Sequence, residues 1–509
     1  SSSTPANPMT QVSTSGAGTG LTISGTWGVA SVQVLNSGAG YTSTPTVTFS
    51  SGAATATATL GATSSGFPSV PGFFQQRLIL AGPTASPQTL YMSQPGEYFN
   101  FNVSNPVQAT NSITATLVSG QLNSIKSMVP QTSGLLVFSD RASWLINGGT
   151  PGSAISPQAL VANSQSFNGV SDIPPIVANF DVLYVQAKGS IVRDSSYNIY
   201  ANVYTGTDIS VISSHLFYGF TIVGWAWAEE PFKVVWAVRS DGTMLTLTFL
   251  KEQEFIGWAH STTLGSFKSV CTVTETGTAA GTVDAVYTVV QRTINGHSVQ
   301  YIERVAERIF TNGLTDAWTV DCAQQYNGSA TLNFQGAESL AATTVTGLAT
   351  DNLGNVTIIT PFVMPTSGQF TLPAPGGGAT GYTRVTIGLG FTCDLQTLPI
   401  DLGEPTVQGK VKKIEEVVVR ASETLGLSIG SSFNNLVSMP DFVDGNISSM
   451  LTGQDNQILS GLVTGDGRQI IDPTFTVPGQ FCIRQSNPYP ATVLGVIPKI
   501  IDSNPKRDE

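Results

Sequence analysis

Three histidines, His215, His260 and His297, stand apart from one another in the chain. None has the H-E-x-x-H or Cys/His spacing that gathers a zinc ion, so no metal site is expected. Gly409-Lys410 is the sole Gly-Lys step, and it has neither a following Ser or Thr nor the upstream glycine of a phosphate-cradling loop. The glycine-rich stretch Gly16-Ala-Gly-Thr-Gly20 reads as a flexible linker, because no strand-to-helix switch or acidic ribose partner accompanies it. No nucleophile elbow is expected, and D-x-D-x-D-G calcium loops are absent from the sequence. The four cysteines, Cys271, Cys322, Cys393 and Cys482, form neither a disulfide framework nor a C-x-x-C pair. They are expected to be free, buried thiols.

Paired carboxylates are a different matter. A glycosidase pair is defined by a separation of about 5 to 10 Å in space, which sequence spacing does not fix. Glu229-Glu230 and Asp172 are the candidates, and the plainer reading of the first pair is a solvated turn before Pro231. Trp225, Trp227, Trp236 and Trp258 would suit a sugar groove, but large aromatics also fill the wedge between packed sheets, and that role is favoured. The chain is therefore expected not to be an enzyme: catalytic, cofactor-binding and metal residues, none.

The elements that would position any site repeat along the chain. Leu135, Leu183, Val235 and Ala285 each open an apolar strand that runs into a short polar turn and returns as a second strand. These starts lie roughly 50 residues apart, the spacing of blades in a β-propeller. An earlier copy begins at Leu78, in Leu-Ile-Leu-Ala-Gly. Asn147-Gly148, Asp241-Gly242, Asn295-Gly296 and Asn312-Gly313 are expected to be tight turns between antiparallel strands. Tyr301 to Phe310 reads as a strand with Tyr301, Glu303, Val305 and Glu307 on one face.

Charged residues are only 11% of the 509, less than half the usual share of about 25%. Ser, Thr, Asn, Gln and Gly fill the surface instead, as suits a chain that spends much of its exterior on neighbours. The formal net charge of −11 argues against generic phosphate neutralisation. Lys410-Val-Lys-Lys413 is the only dense basic run, and Glu415-Glu416 follow it. No span of 18 apolar residues and no signal peptide is legible. The first residue is Ser1, so the chain is expected to be processed, tagged or part of something longer.

An all-β fold is expected, with propeller-like blades and additional small sandwich or barrel domains. Residues 1–68 form a Gly/Ser-rich β-repeat, in which Val32 to Phe49 reads as a hairpin or small sandwich. Residues 69–317 hold the blades. Residues 318–392 make a small inserted β-domain with strands at Asn355–Thr360 and Thr383–Gly388 and a loose loop at Ala374–Gly381. Residues 393–509 return to the main body through strands at Lys410–Arg420 and Val493–Ile497, and end in a polar tail from Ser503.

Two stretches resemble the tail nozzle family of short-tailed bacteriophages, also called tail tubular protein B or packaged-DNA stabilisation protein. The first holds Phe73-Phe-Gln-Gln-Arg-Leu-Ile-Leu-Ala-Gly82, Ser86 to Ser93, Gly96 to Phe101, Ser143 to Gly148, Ile191 to Asp194, and Trp236 to Gly242 with Glu252-Gln253. The second holds Leu395 to Pro399, Lys413 to Arg420 and Pro490 to Ile497. The resemblance implies a homohexameric ring below the portal and adaptor proteins, contacts with tail fibre or tail tip proteins, and a channel for duplex DNA that passes without specific binding. It implies a place in the virion tail after assembly in the bacterial cytoplasm. Members of that family usually carry an upstream section that contributes to the propeller, so this chain is expected to be a truncated or cleaved portion. The rival readings are a carbohydrate-binding propeller and a glycan-degrading one.

Overall fold

The computed structural model describes residues 9–10, 22–23, 43–49, 56–58, 66–118, 120, 123–201, 203–277, 281–401, 406, 408–442, 457–459, 461–471 and 479–502. Strand accounts for 54% and helix for 5%, which makes the protein all-β. Among the described residues no helix is long and apolar enough to cross a membrane. The chain divides into two compact units, Ser1–Ile222 and Val223–Glu509, a division that falls inside the stretch 69–317. Most of Val32 to Phe49 and the tail from Ser503 lie outside the described residues.

The first unit contains three consecutive antiparallel meanders of four strands. The first runs through Val70–Phe74, Arg77–Ala81, Thr89–Met92 and Ile113–Thr116. The second runs through Ile125–Gln131, Gly134–Ser139, Ser143–Asn147 and Val161–Ser166. The third uses Ile176–Ala178, Asp181–Val185, Val192–Asn198 and Val203–Asp208.

Period-two alternation explains how these sheets pack. In the second sheet Leu135 pairs with Ile146, and Val137 with Trp144. These four join Ile79, Leu90 and Met92 of the first sheet in one core. The opposite face carries Leu136, Phe138 and Leu145, which meet Val182, Tyr184 and Tyr204 of the third sheet. The Phe138 and Tyr184 rings lie 5.3 Å apart across that second core. The middle sheet is thus apolar on both faces, and three successive meanders stack face to face. Each such buried side chain contributes about 2 kcal/mol.

The second unit begins with a fourth meander, Ile222–Ala228, Val234–Arg239, Met244–Leu250 and Phe255–Ser261. A fifth has three long strands, Ser266–Thr276, Thr282–Ile294 and His297–Arg304. Leu78, Leu135, Leu183, Val235 and Ala285 all fall on the second strand of a separate meander, and the strand after each is the third. The repeated hairpin in the sequence is therefore the central pair of each four-stranded meander, and the middle and last strands of the fifth.

Beyond it, Asp321–Thr331, Tyr382–Leu389, Thr344–Asp351 and Val356–Val363 form a sheet with its own core around Leu340, Val345, Ile359 and Val385. Two last sheets face one another across a shared core. One contains Cys393–Gln396, Cys482–Gln485, Leu427–Ser432 and Asn435–Ser438. The other contains Gln457–Leu459, Leu462–Ile470, Lys412–Thr424 and Thr492–Asp502. Val417, Val419, Leu427, Ile429, Phe442 and Ile483 fill the space between them. A Cβ at Gly467 would come within 2.3 Å of the Phe442 ring, so that strand position needs glycine.

Several turn expectations require correction. Asn295 and Gly296 have φ of 48° and 78° and make a two-residue turn in which both centres are left-handed, as the dipeptide predicts. Asp241-Gly242 also closes a hairpin, with the Gly242 N–H donating to the Arg239 carbonyl. Asn147-Gly148 instead ends a strand before a long loop, and Asn312-Gly313 leads into a short 3-10 turn. The strand expected across Tyr301 to Phe310 stops at Arg304. Glu303 there faces inward, where it has a partner that the alternation pattern does not name.

Candidate functional site

The chemistry-bearing residues do not converge. His215 is exposed on a 3-10 turn, His260 on an edge strand of the fourth sheet, and His297 at a strand start. Among the described residues no three His, Cys, Asp or Glu side chains are grouped to hold a metal. Asp172 is exposed and its carboxylate sits 2.7 Å from Lys126 Nζ in the first unit.

Glu229 and Glu230 are exposed, and their backbone rather than their side chains is engaged. Both N–H groups donate to Asp284 Oδ2, at 2.8 and 3.2 Å. Burial pushes the Asp284 carboxyl up, but these amides and the Thr274 hydroxyl outweigh it and leave the group below the usual range. The constellation pins a turn.

The tryptophans do not form one groove. Trp236 pairs across with Thr246, whereas Trp258 pairs with Leu247. Neighbouring residues 246 and 247 point to opposite faces, so Trp236 and Trp258 do too. All four are half-buried rather than enclosed.

Two of the cysteines also depart from expectation. Cys482 is buried and Cys322 half-buried, but Cys271 and Cys393 are exposed, because each lies on the edge strand of its sheet. Burial pushes the Cys322 thiol up to about 12, and the neighbouring Glu303 and Asp321 add to the rise against Arg292.

Among the described residues a dense charged cluster surrounds Arg292, which is 1% exposed. Its Nε and Nη2 donate to Glu303 at 2.6 and 2.7 Å, Nη2 reaches Asp321 at 3.2 Å, and Nη1 donates to Thr263 Oγ1 at 2.8 Å and the Leu264 carbonyl at 3.0 Å. Burial alone would lower the guanidinium, but the two carboxylates hold it above its ordinary value. The cluster joins residues of the fifth sheet, the loop before it and the strand that opens the sixth. With its donors engaged it is a fastener, not an acid or base. Sequence reading passed over Arg292, although its place in the buried register of Thr288 and Val290 is itself the signal for an internal counter-charge.

The first unit has a comparable fastener. Arg77 is 2% exposed and donates to the carbonyls of Ser93 and Asn111 at 2.7 Å each and of Ala109 at 3.2 Å. Gln75 and Gln76 precede it in a turn with φ of 46° and 60°. Such left-handed side-chain residues cost about 1 kcal/mol each. Gln75 offsets part of this through its amide, which donates to the Ser153 carbonyl and accepts from Ile155 N–H.

The basic run Lys410-Val-Lys-Lys413 is not a patch of three cations. Lys412 is 1% exposed and its Nζ donates 2.7 Å to the Ile400 carbonyl. At least ten of the 22 basic side chains sit in ion pairs, among them Arg420 with Asp466, Arg468 with Glu416 and Lys499 with Glu415 on one sheet. The arrangement suits holding sheets together.

No family model matches the chain, and no match to a curated protein was found.

Proposed function

We propose that this chain is a structural subunit of a short-tailed bacteriophage tail, forming a ring-shaped nozzle that retains packaged DNA and conducts it on ejection. The observation that carries the reading is the succession of antiparallel meanders whose central hairpins recur roughly every 50 residues. Three of them stack face to face, the middle sheet being apolar on both sides. Stacked four-stranded meanders are the building unit of a propeller, so this supports blades as the next level of organisation.

The motifs that resemble the nozzle family gain a physical role in this reading. Gln75 and Arg77 of the first motif hold the loops at 153–155 and 93–111 through backbone carbonyls and amides. A part that must survive the pressure of packaged DNA needs such cross-loop ties more than it needs reactive groups. The acidic balance, 33 acidic against 22 basic side chains with at least ten of the latter in ion pairs, supports a lumen that gives phosphates little to hold. Partners in this reading are further copies of the chain in a hexamer, portal and adaptor proteins above, and fibre or tip proteins at the periphery.

Negative-stain electron microscopy of the purified protein, alone and mixed with tail-less particles, tests this. Six-fold rings with a central opening that add below the portal are the expected result. A monodisperse monomer or trimer that never joins the particle refutes the reading.

A further inference from the structure

From the geometry of one cleft in the first unit, we propose a binding site for a neutral pyranose sugar, an inference that stands apart from the nozzle reading. The cleft has a volume of about 410 Å³ and lies between the second and third sheets. Its floor is Tyr204, 3% exposed, whose hydroxyl shares a 2.7 Å hydrogen bond with Ser133. Tyr197 leans on Tyr204 with ring centroids 5.3 Å apart. Phe180 stands at the rim, 75% exposed.

Two features there are uneconomical for the fold alone. Phe180 is held in water on a two-residue turn, beside Asn179 with φ of 58°. Gln131 also lines the cleft, and its buried Nε2 has no hydrogen-bond partner. An unpaired buried amide costs about 1–3 kcal/mol, and turning the Gln131 amide toward a ligand acceptor in the cleft would recover it.

The lining selects the ligand class. Aromatic faces carry partial negative charge and suit the polarised C–H groups on one side of a pyranose ring. Amide, hydroxyl and carboxylate groups at Gln131, Ser133, Tyr204 and Asp181 match the donors and acceptors of sugar hydroxyls. No lysine or arginine lines the cleft and Asp181 does, so a phosphate or an acidic sugar would meet a carboxylate and no cation of the lining. A nucleotide is disfavoured on that ground, and a neutral hexose is not. The volume is within the range of small-molecule sites.

Saturation-transfer NMR on the full chain, with the methyl glycosides of glucose, galactose, mannose and N-acetylglucosamine as probes, decides the matter. At least one probe should bind with a Kd on the order of 1 mM, usual for a single small site. Phe180→Ala, at an exposed position, should weaken it about tenfold. Gln131→Leu, which removes the orphan donor, should weaken it about fivefold with unchanged circular dichroism. Absence of transfer to all four glycosides, or transfer that both variants leave intact, overturns the site. Stronger transfer to uridine or to an N-acetyl amino-acid amide also overturns it. None of these outcomes bears on ring formation, so the two readings fail separately.

Discussion

Arg292 and Glu303 meet fork to fork across neighbouring strands, with both guanidinium–carboxylate contacts at 2.6 to 2.7 Å. The arginine is buried, and Asp321 and Thr263 complete its shell. This pair ties the hairpin of the fifth sheet to the strand that starts the sixth.

Removing the cation should be costly. Arg292→Ala leaves Glu303 and Asp321 facing each other in a largely desolvated space, which costs about 3 kcal/mol. Asp172→Ala, which breaks an exposed pair with Lys126, should cost under about 1 kcal/mol. Urea unfolding of the two variants followed by fluorescence checks the contrast, and equal midpoints would refute it.

A second expectation concerns pH. Asp241 receives both Arg239 nitrogens, at 2.9 and 2.7 Å, together with the Thr243 N–H and hydroxyl. The Arg239 hydrogen bonds, against a smaller opposing effect of burial, hold its carboxyl well below the ordinary value. Because the folded-state value is depressed, the contribution is fully present above the ordinary carboxylate range and is lost as pH falls through the folded value. Asp241→Asn should therefore be less stable than the parent by about 1 kcal/mol at neutral pH. The gap should shrink steadily below about pH 4. A gap that is constant with pH would assign the effect to packing instead.

Thiol reactivity should separate Cys271 from Cys322 and Cys482. Cys271 is exposed on an edge strand, while the Cys322 thiol is pushed up to about 12 and Cys482 is buried. The thiolate is the reacting form. Maleimide at mildly alkaline pH, read by peptide mass spectrometry, should label Cys271 within minutes and leave Cys322 and Cys482 untouched in the folded protein. Labelling of Cys322 at a rate comparable to Cys271 would contradict the tightness of the Arg292 cluster.

Duplex DNA should bind weakly even at low salt. Affinity of that kind comes from counterions released by unpaired Lys and Arg. Here 33 acidic residues outnumber 22 basic ones, and at least ten of the latter already face carboxylates. Fluorescence anisotropy across a salt series should show a shallow slope. Tight binding at low salt that collapses as salt rises would expose a basic groove and end the low-friction channel idea.

The sequence by itself determined the local β-structure. Period-two alternation and a hairpin recurring about every 50 residues located the central strands of five sheets, and Asn295-Gly296 marked its turn, because these preferences depend on neighbours a few residues away. The packing partners were decided elsewhere. Alternation placed Leu135 and Leu136 on opposite faces but did not say which sheet each would meet. Lys410-Val-Lys-Lys413 reads as a basic run, yet strand register turned Lys412 inward to the Ile400 carbonyl. Arg292 found Glu303 on the next strand and Asp321 from 29 residues along the chain, and Cys271 became exposed because its strand ended at a sheet edge. Such contacts arise when separate elements pack, and one-dimensional spacing holds no distance between them. The cleft at Gln131 belongs to the same class: its walls come from the second and third sheets, and only their stacking creates it.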